Sequence, residues 1–241
     1  MLKTGPRRRI SGLFHRGWSW FLDYVYVAFW QVHGFLFRTD AARYLQDVDP
    51  RCRPVLLLPG IYERWQFMHP IAERLHDRGH PVHVVDGLGY NRGSVAKMAG
   101  LVQDYLALHD LQDVYIVAHS KGGLIGKYVM SDDDDGGRVT GMAAINTPFS
   151  GSVYARFFLL PSIRAFAPSN KILRTLAGNQ GVNSRITSIF SAWDPHIPGG
   201  SHLPGATNIE LESHGHFRTL ADPGLLAAVE HAVQTPPSNT P

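Results

Sequence analysis

Two hydrophobic spacings alternate along the chain after residue 53. Short runs that are apolar at nearly every position, such as residues 55–58 and 114–118, are separated by stretches in which apolar residues recur every three or four positions. The first pattern is typical of strands buried on both faces, and the second of amphipathic helices. We therefore predict an α/β fold with a mostly parallel central sheet and helices on both of its faces. The predicted strands are 55–58, 82–85, 114–118, 139–145, 186–190 and 207–211, and the predicted helices are 65–77, 95–109, 124–130 and 225–233.

The first fifty residues carry a different pattern. Residues 18–37 are apolar and aromatic, and Asp23 is their only formally charged residue. The stretch is about as long as a membrane span, but its polar positions and balanced Lys/Arg flanks favour a helix that packs on the rest of the protein or lies at a membrane surface. A spanning anchor and a signal-like segment stay as alternatives. A helix here would have one face with polar members and an opposite apolar face, namely Ser19, Asp23, Tyr26, Trp30 and His33 on the first and Phe21, Val25, Ala28, Val32 and Phe35 on the second.

Charge separates the same two parts of the chain. Residues 1–53 carry nine Lys/Arg and four Asp, a net charge of +5, whereas the other 188 residues carry 14 Lys/Arg and 16 Asp/Glu, a net charge of −2. The mildly acidic body does not suit nucleic acid, so no such partner is expected. A single cysteine, Cys52, excludes an internal disulfide and a thiolate-rich zinc site. Cytoplasmic and membrane-associated locations both stay open.

A serine stands at the end of the most apolar predicted strand. Residues 118–123 read Ala-His-Ser-Lys-Gly-Gly, and a helix is predicted directly after them. Ala118 and Gly122 are small, as a tight and strained turn from strand to helix requires two positions before and after its serine. Ser120 would then lie at a helix N-terminus, where the dipole favours developing negative charge. This segment resembles the nucleophile elbow of the α/β-hydrolase superfamily, in its serine lipase and esterase branch, some members of which also carry Ala-His-Ser.

The resemblance covers residues from about 53 to 235 and implies a catalytic triad in the order Ser, acid, His. Asp194 follows the predicted strand 186–190 in an Asp-x-x-x-Pro context and matches the acid. Both His214 and His216 lie on the loop after the final strand, and the family's Gly-His pattern matches His216. The oxyanion hole would be formed by the backbone N–H groups of Ile61 and Lys121. Neither a cofactor nor a metal is expected.

Further matches predict the surroundings of this site. A Thr-Pro-x-x-Gly-Ser segment at 147–152 is like one found after a strand in many lipases, and residues 152–185 beyond it are predicted to form a small apolar cap. Tyr62, Trp65 and Phe149 are predicted to line the substrate pocket. The expected division of the chain is a helical extension at 1–52, a hydrolase domain at 53–235 and a disordered tail at 236–241.

The function implied by the resemblance is hydrolysis of carboxylic esters through an acyl-enzyme. The expected partner is a small ester or lipid, with an apolar acyl group of short to medium length, and residues 18–37 add the prospect of peripheral membrane contact. An acyltransferase or thioesterase would use the same triad. A non-catalytic binding protein of this fold usually lacks a triad member, whereas this chain has a candidate for each.

Overall fold

A six-stranded parallel sheet forms the centre of the molecule in the part of the chain that the computed structural model describes, which is residues 6–36, 40–132, 137–152, 155 and 166–235. From edge to edge the strand order is β2-β1-β3-β4-β5-β6, and each neighbouring pair is parallel. The strands are β1 (Val55–Leu58), β2 (Val82–Val84), β3 (Val114–His119), β4 (Val139–Ile145), β5 (Ile186–Trp193) and β6 (Thr207–His214).

Helices follow the strands on both faces of this sheet. The α-helices of the described residues are α1 (Pro6–Leu36), α2 (His69–His76), α3 (Val95–Leu108), α4 (Lys121–Ser131), α5 (Lys171–Gly178) and α6 (Pro223–Gln234). Short 3-10 helices lie at Ala41–Leu45, Trp65–Met68, Asp86–Leu88, Asn183–Arg185 and Arg218–Ala221. Several of the α-helices have a side-chain N-cap. At the start of α3, for example, the Ser94 side chain accepts a hydrogen bond from the Lys97 N–H.

The sheet divides the core in two, because successive residues of a strand point to opposite faces. Leu56 and Ile116 pack on the side covered by α3 and α4, whereas Leu57 and Val117 pack on the side covered by α2 and α6. β1 and β3 are buried at every position. This accounts for the continuously apolar runs in the sequence, and it confirms the predicted α/β architecture with a parallel sheet.

Two strands extend three residues further than their apolar runs predicted, and β3 extends one residue further, to His119. β5 continues to Trp193 and β6 to His214, and these two residues are partners in the sheet register. The last residues of each strand are held by backbone hydrogen bonds to the neighbouring strand, so they need not be apolar. Hydrophobic periodicity therefore could not predict where these strands end. The extension brings Asp194 directly after β5 and His216 two residues after β6.

Helix α1 covers the segment in which a helix was predicted and begins earlier, at Pro6. Its face with polar members packs on the body, where Ser19, Asp23 and Trp30 are buried. The opposite face, with Phe21 and Val32, is exposed. The helix therefore packs on the body through the face that contains its one acidic residue, Asp23. No helix within the described residues is both long and apolar enough to cross a membrane.

Some predictions concern parts of the chain outside the described residues. Most of the first half of the predicted cap at 152–185 lies there, as do the tail at 236–241 and the side chain of Phe35. The described remainder of the cap segment contains helix α5 and the 3-10 helix Asn183–Arg185.

Candidate active site

Ser120 occupies a strained turn between β3 and α4. Its backbone has φ 51° and ψ −118°, a conformation that costs a non-glycine residue on the order of 1–3 kcal/mol. The turn is held because the Ser120 N–H donates to the Ile145 carbonyl at 2.8 Å. A Cβ at Gly122 would collide with the Leu58 carbonyl, and one at Gly123 would collide with the Thr147 side chain. The two glycines therefore allow the turn to pack directly against the end of β1 and the loop after β4.

The structure brings Ser120, Asp194 and His216 together in one hydrogen-bonded series. His216 Nε2 lies 3.0 Å from Ser120 Oγ, and His216 Nδ1 lies 2.6 Å from Asp194 Oδ2. The other carboxylate oxygen of Asp194 accepts from the backbone N–H groups of His196, at 2.7 Å, and Ile197, at 3.2 Å. Because the carboxylate accepts from Nδ1–H, Nε2 is left to accept from the serine hydroxyl.

The two ionisable members of the series shift each other's pKa in opposite directions. Burial alone would raise the pKa of Asp194, but the charge and hydrogen bond of His216 outweigh burial and lower it. Burial alone would lower the pKa of His216, but Asp194 outweighs it and raises that pKa above the ordinary histidine value. Asp194 is therefore ionised near neutral pH, and His216 is a stronger base than an isolated buried imidazole.

His214 takes no part in this series. It is the last residue of β6, and its ring lies against Trp193 with ring centroids 6.3 Å apart. Its carbonyl accepts from the Arg218 side chain at 2.9 Å. Of the two histidines that the sequence left as candidates, the structure brings only His216 to Ser120.

The two predicted oxyanion donors are available to a ligand. Neither the Ile61 N–H nor the Lys121 N–H donates to an acceptor among the described residues, and Ile61 lines the same cavity as Ser120. The Lys121 ammonium is engaged elsewhere, since it donates to the carbonyls of Asn91, at 2.7 Å, and Gly93, at 2.5 Å. Burial lowers the pKa of Lys121 to about 8. Its side chain thus stabilises a neighbouring loop, while its backbone N–H stays unused.

A cavity of about 470 Å³ opens onto Ser120 and His216. Its walls are mostly apolar and come from α1, the loop after β1 and the segments near residues 152, 166 and 195. The lining residues besides Ser120 and His216 are Trp20, Tyr24, Ile61, Glu63, Pro148, Ser152, Ala155, Phe166, Pro195, His196, Ile197 and Phe217.

Comparisons with known proteins agree with this architecture. Residues 53–168 match the family model described as the alpha/beta hydrolase fold. An extracellular α/β-hydrolase from a Paenibacillus species is 18% identical, with a TM-score of 0.54 over 76% of this chain and 100% of that one. A mature lipase of Bacillus licheniformis is 14% identical, with a TM-score of 0.59 over 78% and 95% of the two chains. The chain has the α/β-hydrolase fold.

An enol-lactonase from Burkholderia xenovorans LB400 is similar in the same way, at 14% identity and a TM-score of 0.56 over 78% of this chain and 95% of that one. At such identities the likeness establishes the hydrolase fold alone.

Three pocket residues predicted from the sequence lie elsewhere. The structure places none of Tyr62, Trp65 and Phe149 among the described residues that line the cavity at Ser120. Trp65 packs edge-on against Tyr44 and lines a different cavity, and Phe149 is buried in the core. Tyr62 has a positive φ of 61°, so the chain reverses there and Glu63 rather than Tyr62 reaches the site. The position of a residue along a loop was not enough to predict the direction of its side chain.

Asp23 of α1 holds the loop that carries His216, a role that was not predicted from the sequence. The fully buried carboxylate accepts from the backbone N–H groups of His216, Phe217 and Arg218 at 2.9, 2.7 and 2.8 Å. At Gly215, whose φ is +120°, a Cβ would lie 2.7 Å from the same carboxylate. The only signal in the sequence was a single charge in an otherwise uncharged stretch.

Glu63 and His119 form a buried pair that connects three segments around Ser120. Glu63 Oε2 lies 2.9 Å from His119 Nδ1 and accepts from the Gly60 N–H at 2.8 Å. His119 Nε2 donates to the His216 carbonyl at 3.0 Å. The pair thereby joins the loop after β1, the residue before Ser120 and the loop that carries His216.

His196 forms a wall of the cavity beside Ser120 and His216. Its Nε2 lies 3.1 Å from the Tyr24 hydroxyl, and its ring centroid lies 5.0 Å from that of His216. Burial, followed by the charge of His216, lowers the pKa of His196 to about 4, so its ring is neutral at pH 7. Ligand atoms of Asp194, His196 and His216 lie within 4.8 Å of one another. A metal bound there would compete with the bond between Asp194 and His216.

Proposed function

We propose that this protein is a serine hydrolase that cleaves carboxylic esters through an acyl-enzyme. The observation that carries the proposal is the continuous series from Ser120 Oγ to His216 Nε2, at 3.0 Å, and from His216 Nδ1 to Asp194, at 2.6 Å. A serine hydroxyl is a weak nucleophile unless an adjacent base takes its proton, and this base is itself oriented by a carboxylate.

In the proposed reaction, Ser120 Oγ attacks the ester carbonyl while His216 Nε2 accepts the hydroxyl proton. The resulting oxyanion receives hydrogen bonds from the Ile61 and Lys121 N–H groups, which have no other acceptor among the described residues. His216 returns the proton to the leaving alcohol as the carbon–oxygen bond breaks. A water molecule, deprotonated by His216, then cleaves the acyl-enzyme and releases the acid and free Ser120.

The cavity wall favours a neutral ester with an apolar acyl group. Ile61, Phe166, Ile197 and Phe217 are among its lining residues, and each buried CH₂ of an acyl chain contributes about 0.8 kcal/mol to binding. No Lys or Arg side chain is among the described residues that line it, so the wall offers no cation to a charged acyl group. A volume of about 470 Å³ suits a small ester with a short to medium acyl chain.

Labelling with a fluorophosphonate probe tests the proposed chemistry. The wild-type protein should be labelled at Ser120, and Ser120→Ala should lose both labelling and ester hydrolysis. Ser169→Ala, which changes an exposed serine away from the cavity, is the matched control and should keep both. Equal hydrolysis by Ser120→Ala would refute the proposal.

A series of p-nitrophenyl esters tests the proposed substrate class. Values of kcat/KM should rise from acetate toward longer acyl chains, because each added CH₂ is buried against the wall. A steady fall from acetate to octanoate would contradict the apolar-pocket argument and indicate an esterase for small acyl groups.

A further inference from the structure

The outer face of α1 is a continuous apolar surface. Its members Trp18, Phe21, Val25, Phe29 and Val32 are between 46% and 63% exposed. Trp18 and Phe21 stack on each other with ring centroids 5.5 Å apart. Exposed apolar patches of this kind mark sites of interaction with a protein or a membrane.

The exposure of this face is fixed by the packing of the opposite face. Asp23 is fully buried and accepts three backbone N–H groups, which the rotation of α1 about its axis would leave without an acceptor. Tyr26 and Gln31 also bond to the body, through the carbonyls of Phe67, at 2.8 Å, and Tyr62, at 3.0 Å. The apolar face therefore cannot turn inward without losing these bonds.

The charge of α1 identifies the kind of surface that would cover this face. The sequence of the helix contains Arg7, Arg8, Arg9 and Arg16, and its one acidic residue, Asp23, is buried and engaged. A second copy of this helix would bring no exposed carboxylate to these arginines. A lipid surface with anionic headgroups would attract a helix of this net positive charge and accept its exposed apolar side chains, which is how amphipathic helices bind membrane interfaces.

The apolar face is also next to the candidate active site. Trp20 and Tyr24, from the same helix, line the cavity that contains Ser120 and His216, and both are themselves partly exposed. A surface bound along α1 would thus lie at the rim of this cavity.

We propose that the outer face of α1 docks the protein on an anionic lipid surface, from which the site takes its substrate. The evidence for docking is the exposed apolar face of α1 and the positive charge of that helix. The origin of the substrate rests on the proposed ester hydrolase function.

Vesicle co-sedimentation of the full chain tests the docking without relying on activity. The chain should bind phosphatidylcholine vesicles that contain about a third phosphatidylglycerol, bind pure phosphatidylcholine more weakly, and be released by high salt. Phe21→Ser/Phe29→Ser should weaken binding by about tenfold or more, because two aromatic side chains leave the interface. Leu108→Ser removes an apolar side chain that is 81% exposed on α3, and it should leave binding unchanged.

Several outcomes would overturn the docking proposal. They are absence of binding to the anionic vesicles, equal binding by Phe21→Ser/Phe29→Ser and the wild type, and a stable dimer that loses its association in that double variant. Retention of the chain in the vesicle pellet after alkaline carbonate would indicate a spanning anchor instead. Unchanged vesicle binding by Ser120→Ala is expected, so a failure of the hydrolase proposal would not be mistaken for a failure of docking.

A comparison of two substrates tests the origin of the substrate. Phe21→Ser/Phe29→Ser should hydrolyse soluble p-nitrophenyl acetate at the wild-type rate and hydrolyse an ester embedded in the anionic vesicles about tenfold more slowly. Equal rates on the embedded ester, with binding to vesicles weakened, would show that the substrate does not come from the bound surface.

Discussion

Helices α1 and α3 both pack on the body of this hydrolase, but they do so with opposite kinds of face. Helix α3 buries Met98, Val102 and Leu106, as its periodicity predicts. Helix α1 buries Ser19 and Asp23 and leaves an aromatic and aliphatic face exposed. Hydrogen-bond partners can therefore decide which face of a helix is buried. A carboxylate that accepts from three backbone donors can be buried at low cost. The apolar residues on the other face of the helix then stay exposed to solvent or to a binding partner.

The body of the protein and helix α1 have different roles in the proposed reaction. The body supplies every reacting group of the proposed triad, and α1 supplies the carboxylate that holds the histidine loop. Variants of the reacting groups should therefore lose most activity, variants of Asp23 should lose less, and variants of the outer face should lose none toward a soluble substrate.

The largest change in activity is expected from substitution of one of the two histidines near the end of β6. His216→Ala should lower kcat for ester hydrolysis by on the order of 10³-fold or more, because it removes the base beside Ser120. His214→Ala should change kcat little, since that ring contacts Trp193 and not the serine. Steady-state kinetics of the two variants check this expectation, and the opposite ranking would transfer the role of base to His214.

The next effect concerns stability and compares the two helices directly. Leu106→Ala in α3 should lower the free energy of unfolding by about 2–5 kcal/mol, because it leaves a cavity in the core. Phe21→Ala in α1 removes a larger side chain but should change that free energy by only about 0.5 kcal/mol, since Phe21 is exposed. Chemical denaturation of both variants measures the difference. A large loss for Phe21→Ala would mean that its face is covered in solution.

A smaller effect on activity is expected at Asp23. Asp23→Asn replaces a carboxylate oxygen with an NH₂ group that faces backbone donors, so the His216 loop should shift. We expect kcat to fall by about 10- to 100-fold with KM little changed. Asp40→Asn, at an exposed helix cap, is the matched control and should keep its kcat.

The kcat of Asp23→Asn has to be expressed per intact active site. Titration of Ser120 with the fluorophosphonate counts the sites that can still react. If the loss of activity matched a loss of titratable sites, Asp23 would be needed for folding and would not position the histidine in the folded protein.

The smallest expected effect is on pH dependence. His216 must be unprotonated to accept the Ser120 proton, so kcat/KM should rise with pH through the pKa of His216. Asp194 raises that pKa, which places the midpoint above the ordinary value of 6.5. In Asp194→Asn the residual activity should have a lower midpoint, because burial then acts without the carboxylate. A midpoint that moved upward in this variant would contradict the arrangement.

The parts of the molecule that sequence predicted best are those governed by local rules. Apolar runs identified the strands because both faces of the sheet are covered. Small residues around Ser120 identified the tight turn because a Cβ at Gly122 or Gly123 would collide with neighbouring atoms. The order of the candidate triad followed from a resemblance to a fold family. The distances that join Ser120 to His216 and His216 to Asp194 agree with that order.

The parts that sequence did not predict depend on contacts between distant segments. Glu63 and His119 are 56 residues apart, and neither has a local pattern that requires a partner. The pocket prediction failed to anticipate the reversal at Tyr62, which is a property of backbone dihedrals rather than of residue type. The face of α1 was described correctly as a set of residues, but hydrophobicity alone could not tell which side would be buried.

The bond between Asp23 and the His216 N–H spans 193 residues, and this separation has a consequence for how the protein folds. Closing so long a loop costs conformational entropy that is regained only once both ends are in place. Contacts of such high sequence separation form late, after local helices and neighbouring strands. We therefore expect α1 to dock only after β6 has joined the sheet. During synthesis, α1 would be made before β6, and it could dock on the body only after the segment that carries His216 had been made.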